Sequence, residues 1–267
     1  MAIEELLKNP EEYRAGENYK ASNIVFPVVF EGQKYIVKKP RALSSLIEPY
    51  YVLQDKFFLG TRMLSTARRR ITMEAARLET LAGKHAPRLI AYGNKTLVRE
   101  YLEGRDFRSL DSDEERKMAL KKAVEALDNI HLHGVVIGDA HVKNIFLTKG
   151  DEVRWLDMDG IYGGAVIADN LSCVWPGAAV DMLKFIYSTY TATRNPDLTL
   201  YSANLVVRTS YFYRDGTRRE VGRQIEAGNR RLRGGLGLWF ATRMPRDSHL
   251  NWKIGDILSL DKPIDWE

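Results

Sequence analysis

The sequence predicts an α+β protein built from two unequal parts, a small antiparallel sheet and a mainly helical region that follows it. Short runs of β-branched and aromatic residues, separated by tight turns, occupy residues 19–38 and 87–104. Apolar residues recur at helical spacing over residues 61–83 and 111–133. A pair of strand-like runs around a four-residue turn predicts a hairpin at residues 144–156.

Length and composition suit a protein with a sizeable core. The chain has 267 residues, of which 45% are hydrophobic, and its one cysteine, Cys173, excludes an intramolecular disulfide. No apolar run approaches the roughly 18 residues that a membrane-spanning helix needs. Residues 1–15 are acidic and amphipathic, which predicts a short helix and not a signal peptide. We therefore expect a cytoplasmic protein without a transmembrane segment, with the surface of the inner membrane as an alternative location.

Positive charge is concentrated near the end of the chain. Residues 205–250 contain ten arginines, spread over 208–246, against four acidic residues. Such a region predicts an anionic partner, which could be a phosphosugar, a phospholipid surface or RNA. A solvated helical face with internal salt bridges is the alternative explanation.

The N-terminal sheet is expected to contain three strands, at roughly 19–22, 24–30 and 34–38. A segment rich in large apolar residues follows at 41–60. It is expected to form either an extra helix that covers the sheet or an exposed element that contacts an acceptor or a membrane surface. The helix predicted over 61–83 ends at a glycine.

Further along, two strands flank the turn at Gly93 and Asn94. The run Asp111-Ser112-Asp113-Glu114 is a helix-start signal, and the helix that it opens extends to about His133.

Three polar residues stand out around the predicted hairpin. Asp139 and Asn144 precede its first strand, and Asp157 follows its second strand, so the hairpin should bring their side chains together. Buried carboxylates without partners cost several kcal/mol each, whereas oxygen ligands suit Mg²⁺. Taken singly, each residue is equally explained by local structure, with Asp139 in a turn, Asn144 at a bend and Asp157 at a strand end.

These motifs resemble the protein-kinase-like superfamily. The stretch 130–139 resembles the LHxxGxxHxD approach to the catalytic loop, 139–144 resembles the DxxxxN loop itself, and 157–159 lies where the family carries DFG or DFD. Ile137 replaces the histidine that supports this loop in the family, so we expect retained chemistry on an altered scaffold. The resemblance implies a bilobal fold with residues 1–103 as the N-lobe and 104–267 as the C-lobe.

The resemblance extends to the predicted sheet and the helix after it. Tyr35-Ile36-Val37-Lys38 resembles the VAIK strand, in which the lysine pairs with the nucleotide phosphates. Because side chains alternate along a strand, Ile36 and Lys38 share one face, which favours Lys38 over Lys39. The stretch MEAARLETL resembles the RExxxLxxL of small atypical kinases, which implies that Glu74 pairs with Lys38, with Glu79 in reserve.

The nucleotide contacts implied by the resemblance lie in two further segments. LVREYLEG resembles the hinge strand of the family, so the backbone of Glu100 and Leu102 is expected to bind adenine. The loop over the phosphates contains no glycine, and Ser22 and Asn23 are expected to contact phosphate through their amides. Ile36 is expected to line the nucleotide site.

The helix predicted around 179–188 resembles the DLxxLxxS helix of bacterial lipopolysaccharide-core and Kdo kinases, in which Asp181 would support the catalytic loop. The stretch 211–216 resembles a later helix of the same enzymes. These similarities imply transfer of a phosphoryl group from ATP, with Mg²⁺ or Mn²⁺, to a hydroxyl of a sugar or lipopolysaccharide-type glycan. Asp139, Lys38 and Asn144 would be catalytic, and Asn144 and Asp157 would bind the metal.

Two other functions remain open from the sequence. The loop from residue 161 to residue 176 is short for the activation segment of the family, which also fits an atypical Ser/Thr protein kinase of the RIO kind or one like the kinase of the tRNA-modifying KEOPS assembly. A pseudokinase that binds nucleotide without turnover is the second, because the phosphate loop lacks glycine and Ile137 departs from the family pattern. RNA binding through the arginines is compatible with each of them.

Overall fold

Two antiparallel sheets and a set of helices make up the part of the chain that the computed structural model describes. That part comprises residues 2–19, 23–40, 67–159, 175–212, 216–222 and 248–259. The helices are α1 (Ala2–Lys8), α2 (Ala67–Leu81), α3 (Asp113–Leu132), α4 (Trp175–Thr193), α5 (Pro196–Val206) and α6 (Ser248–Ser259), and residues 216–222 are also helical. The strands are β1 (Ile24–Phe30), β2 (Gln33–Lys39), β3 (Leu89–Tyr92), β4 (Leu97–Glu100), β5 (Gly104–Asp106), β6 (Ile145–Thr148) and β7 (Val153–Trp155). The expected α+β class with a small antiparallel sheet is confirmed.

The larger sheet has the strand order β1-β2-β4-β3. Its central strands, β2 and β4, are antiparallel and place Val37 opposite Val98 and Lys38 opposite Leu97. Val37 and Val98 belong to a small apolar core with Leu6 of α1, while Leu97 belongs to the main core, which includes residues of α2. Since side chains alternate along a strand, Lys38 lies on the face that looks towards α2.

The second sheet has the order β5-β6-β7 and contains the hairpin. Its first strand begins at Gly104, whose φ of +157° is one that side chains rarely adopt. A Cβ atom at this position would lie 2.0 Å from the carbonyl oxygen of Leu147. Only glycine therefore lets β5 approach β6 this closely.

The helices α3 and α4 pack in the main core together with this second sheet. Helix α3 begins where its sequence signal lies, because the Ser112 hydroxyl accepts a hydrogen bond from the Glu115 amide at 3.1 Å. Trp155 of β7 is fully buried and donates its indole N–H to the Ala123 carbonyl of α3. The hairpin is thereby fixed against the longest described helix.

Several sequence-based expectations differ from the structure. The first helix ends at Lys8 instead of near residue 15, and a 3₁₀ turn begins at Pro10, whose ring and missing N–H prevent α1 from continuing. A strand was expected at residues 19–22. Tyr19, the residue of this segment that the structure describes, lies outside any strand.

Tyr211 and Phe212 lie in a turn, where a helix was expected. A tertiary contact holds this turn, because the Asp128 carboxylate of α3 accepts hydrogen bonds from the amides of Ser210 and Tyr211. The insertion 41–60 and most of the arginine-rich region 208–246 lie outside the described residues. Among the described helices, none is long and apolar enough to cross a membrane.

Candidate active site

A buried lysine lies among three carboxylates on the inner face of the larger sheet. The Lys38 Nζ atom lies 2.7 Å from Glu74 Oε2, 2.5 Å from Asp157 Oδ1 and 3.1 Å from Asp159 Oδ2. Lys38 comes from β2, Glu74 from α2 and the two aspartates from the segment after β7. Lys39, by contrast, points outward and pairs with Glu11 at 3.2 Å. Three separate parts of the chain therefore meet at one ammonium group.

The cluster contains three carboxylates and one ammonium group, and this imbalance shifts the pKa values of its members. Burial alone would lower the pKa of Lys38, but the carboxylates of Asp157, Asp159 and Glu74 raise it well above its ordinary value. Burial, followed by the charge of Asp159, raises the pKa of Asp157 to about 7. Two carboxylates beside a single ammonium group are difficult to ionise together, so the cluster can accept further positive charge.

The donor set of this cluster fits a divalent cation. Glu74, Asp157 and Asp159 each offer a carboxylate oxygen, and these oxygens all lie within 4.8 Å of one another. Glu74 is fully buried, and its Oε1 atom has no hydrogen-bond partner among the described residues. Ligands that are all oxygen suit hard cations such as Mg²⁺. The sequence had predicted Asp157 here but not Asp159, although two residues separated by one position in an extended segment share a face.

The loop before the hairpin presents a fourth carboxylate, that of Asp139. Asn144 Nδ2 donates a hydrogen bond to the Asp139 carbonyl at 2.9 Å and lies 3.4 Å from Asp139 Oδ2. Lys184 Nζ of α4 lies 3.2 Å from Asp139 Oδ1, and Lys143 Nζ lies 3.7 Å from Oδ2. Burial alone would raise the pKa of Asp139, but Lys184 and Lys143 lower it to about 2. Asp139 is therefore ionised at neutral pH.

The hairpin connects the two groups of side chains. Ile145 pairs with Trp155, and the Leu156 amide donates a hydrogen bond to the Asn144 carbonyl at 2.9 Å. Asn144 and Leu156, the residue before Asp157, are thus adjacent at one end of the hairpin. The ends of the two strands therefore lie side by side, while a metal shared by the side chains of Asn144 and Asp157 stays a prediction.

A buried aspartate supports the loop from the other side. Asp181 of α4 accepts hydrogen bonds from the amides of Ile137 and Gly138, both at 2.8 Å, and lies 3.2 Å from His131 Nε2. Asp181 is fully buried, and Gly138 has a left-handed φ of +79°. Ile137 therefore needs no polar side chain, because its backbone is held directly.

Replacing Asp181 with alanine is expected to lower the free energy of unfolding by about 3 kcal/mol, because two buried amides would each lose their partner at about 1–3 kcal/mol. Urea denaturation of the wild type, Asp181→Ala and Asp181→Asn measures this. The asparagine retains one acceptor oxygen, so its loss should be smaller. An alanine variant as stable as the wild type would show that water or another group satisfies these amides.

The remaining predicted residues differ in their placement. Asn23 is buried and donates a hydrogen bond from Nδ2 to Asp159 Oδ2 at 3.0 Å, so its side chain is bound to the carboxylate cluster. Ile36 is buried on β2, on the same face as Lys38. The Glu100 amide donates to the Arg88 carbonyl, so this amide is already bound within the protein. Leu102 lies in the segment between β4 and β5, and Ser22 lies outside the described residues.

Chemically, the arrangement offers a buried ammonium group for an anion, carboxylates for a divalent cation and an ionised carboxylate that can accept a proton. Sequence reasoning did not identify Lys143 and Lys184, because lysines on a loop and on a helix carry no motif that distinguishes them from surface lysines. Neither a protein-family model nor a curated protein sequence matches the chain. Any assignment of activity therefore depends on these side chains.

Proposed function

We propose that the protein is an ATP-dependent phosphotransferase with a bilobal, protein-kinase-like architecture, which transfers a phosphoryl group to a hydroxyl of a sugar or lipopolysaccharide-type glycan. The observation that carries the proposal is the meeting of Lys38 with Glu74 and Asp157 in one buried cluster. A lysine from a sheet, locked by a helix glutamate and placed against an aspartate that follows a hairpin, is the arrangement in which kinases hold nucleotide phosphates. In this proposal, residues 1–103 form the nucleotide lobe and 104–267 the catalytic lobe.

Each residue has a defined role in the proposal. Lys38 contacts the phosphates, and Glu74 holds its ammonium group in place. Asp157 and Asn144 hold Mg²⁺ or Mn²⁺, and Asp159 is added to this set because its carboxylate lies in the same cluster. When bound, the metal supplies positive charge against the phosphates. Asp139, ionised and held by Asn144, accepts a hydrogen bond from the acceptor hydroxyl and receives its proton.

An anionic acceptor is favoured by the charges around Asp139. Lys143 and Lys184 both lie close to its carboxylate, and the Lys143 side chain is 43% exposed. Two cations around one anion leave a local excess of positive charge, which suits an acceptor with a negatively charged group near its hydroxyl. A phosphorylated glycan has this character. The resemblance of residues 179–188 to glycan kinases points to the same class.

Incubation of the full-length protein with labelled ATP and either Mg²⁺ or Mn²⁺ tests the proposal. Total cell glycolipid and total protein extract are offered as separate acceptors. Metal-dependent labelling of glycolipid is the expected result. Labelling of protein alone would favour the Ser/Thr protein kinase, and nucleotide binding without any turnover would favour the pseudokinase. Failure to bind ATP at all would reject the proposal.

Thermal unfolding gives a test that needs no acceptor. A ligand present at 100 times its Kd stabilises the folded state by about 2.7 kcal/mol, which for a chain of this size raises Tm by several degrees, at roughly 2–4 °C per kcal/mol. We expect this shift with ATP and Mg²⁺ together, and a smaller shift with ATP and a chelator. In Asp157→Asn, the difference between the two conditions should disappear. An equal shift with and without metal in the wild type would contradict a metal–nucleotide site.

A further inference from the structure

A second cation, Arg77, is buried next to the cluster and contacts both functional segments. It lies on α2, three residues after Glu74, and is fully buried. Its Nη1 atom donates hydrogen bonds to the carbonyl of Ile137, at 3.2 Å, and to the carbonyl of Met158. Ile137 lies two residues before Asp139, and Met158 lies between Asp157 and Asp159. One guanidinium group therefore connects the helix that carries Glu74 to both loops.

Arg99 of β4 makes a related contact on the other side of Asp157. It is 8% exposed and donates a hydrogen bond to the Leu156 carbonyl. The carbonyl groups of Leu156 and Met158, which precede and follow Asp157, are thus each held by a guanidinium group from a different element. The Leu156 amide is also bound, to the Asn144 carbonyl. The backbone of Asp157 consequently has little freedom to turn its carboxylate away.

The charges explain why arginine suits these positions. Arginine stays protonated when buried, and a charge removed from water needs compensation. Arg77 and Arg99 direct this charge at the carbonyl oxygens of Met158 and Leu156, on either side of Asp157. An uncharged side chain such as methionine could fill the same volume, but it would leave these carbonyl groups without that donor.

The backbone of Ile137 is held at both of its polar groups. Its amide donates to Asp181 of α4, and its carbonyl accepts from Arg77 of α2. The Ile137 side chain cannot hydrogen-bond to the neighbouring segment, so Arg77 links this end of the loop to Met158, in addition to the hydrogen bond between Leu156 and Asn144 at the other end. The position of α2 therefore affects the loops of Asp139 and Asp157 together.

We infer that Arg77 and Arg99 are positioning residues that fix the backbone of Asp157, and that Arg77 additionally couples this segment and the Asp139 loop to α2. The effects expected on reaction rates rest on the proposed function. The effect expected on the structural order of the two loops depends on the contacts alone, and it can be measured without substrate.

Amide hydrogen exchange of the full-length protein measures that order. The amides of Ile137, Gly138 and Leu156 are hydrogen-bonded and should be protected in the wild type. In Arg77→Met, exchange at all three should rise by at least about tenfold. In Arg99→Met, the rise should be confined to Leu156 and its neighbours. Arg77→Lys keeps the positive charge and one nitrogen that donates hydrogen bonds, so it should restore much of the protection.

Arg154→Met is the matched control. Arg154 of β7 is a partly buried arginine that also donates to a backbone carbonyl, that of Gly83, and its other side-chain hydrogen bond to a described residue is to Glu152. Its replacement should leave exchange at the three amides unchanged. Wild-type exchange in Arg77→Met, or an equal rise in Arg154→Met, would overturn the inference. Should Arg77→Met fail to fold, the shorter, uncharged Arg77→Gln is measured in its place, and wild-type exchange at the three amides in that variant would overturn the inference.

Steady-state hydrolysis of ATP with Mg²⁺ adds a separate readout. Misplacement of a catalytic group by about 1 Å can reduce a rate by about 100-fold, so Arg77→Met should lose about that much in kcat. The Kd for ATP measured without metal should change by less than about threefold, since Lys38 remains. A wild-type protein without turnover would count against the proposed function, while the exchange result would still decide the role of Arg77.

Discussion

Replacing Lys38 with methionine is expected to remove the proposed phosphoryl transfer almost completely and to destabilise the fold. The rate should fall by about 100- to 1,000-fold, as when a positioned donor to a developing charge is lost. The free energy of unfolding should fall by about 3 kcal/mol, because Glu74 and two aspartates would lose the cation at their centre. Turnover with ATP and urea denaturation measure the two effects.

Lys39→Met is the control for this variant. The two lysines are adjacent in sequence, but Lys39 pairs on the surface with Glu11, and the side chains are 29% and 50% exposed. Such a pair contributes about 1 kcal/mol or less, so both stability and rate should stay close to the wild type. If Lys38→Met does not fold, Lys38→Arg keeps the charge and should fold, yet it should still be slow. Wild-type turnover in either Lys38 variant would remove this lysine from the mechanism.

Replacing Asp139 with asparagine should abolish turnover while leaving nucleotide binding intact. A positioned general base contributes about 100- to 10,000-fold to a rate, and asparagine cannot accept the proton. Asparagine has nearly the same shape as aspartate, so the contacts with Asn144 and Lys184 should persist in part. The Kd for ATP should remain the same or fall, because a negative charge is removed while Lys143 and Lys184 remain.

Asp151→Asn is the matched control for the base. Asp151 is an exposed residue in the turn of the same hairpin, with a left-handed φ of +58° that asparagine tolerates well. Its replacement should change neither turnover nor binding. Measurements of kcat and of the Kd for ATP on the three proteins separate the outcomes. Turnover that survives in Asp139→Asn would mean that another group receives the proton.

Much of this geometry follows from periodicity and spacing along the chain. Alternation along β2 distinguishes Lys38 from Lys39, since only one of two successive strand residues can face α2. The choice of Glu74, which is buried, over Glu79, which is exposed, came instead from the resemblance of MEAARLETL to a family motif. The hairpin brings Asn144 next to Leu156 because both lie just beyond its paired strands. Each of these inferences uses neighbours that are close in sequence.

Arg77 shows where such reasoning stops. A charged residue in an amphipathic helix is normally assigned to the solvent face, yet Arg77 is fully buried. Its partners are backbone carbonyls 60 and 81 residues away in sequence, and carbonyl groups are present at every residue, so no pattern marks them. Lys184 is comparable, because its contact with Asp139 depends on how α4 packs against the loop.

The contacts of the site differ greatly in the length of chain that they close. The hydrogen bond from Asn144 to Asp139 spans five residues, whereas the ion pair of Lys38 with Asp157 spans 119. Closing a longer segment loses more chain entropy, and contacts between distant residues slow folding. During folding, the Asp139 loop should therefore become ordered before Lys38 reaches Asp157. A chain that has not completed its last folding step would have an ordered Asp139 loop without the Lys38–Asp157 ion pair, so the proposed nucleotide binding should recover only at the end of the folding reaction.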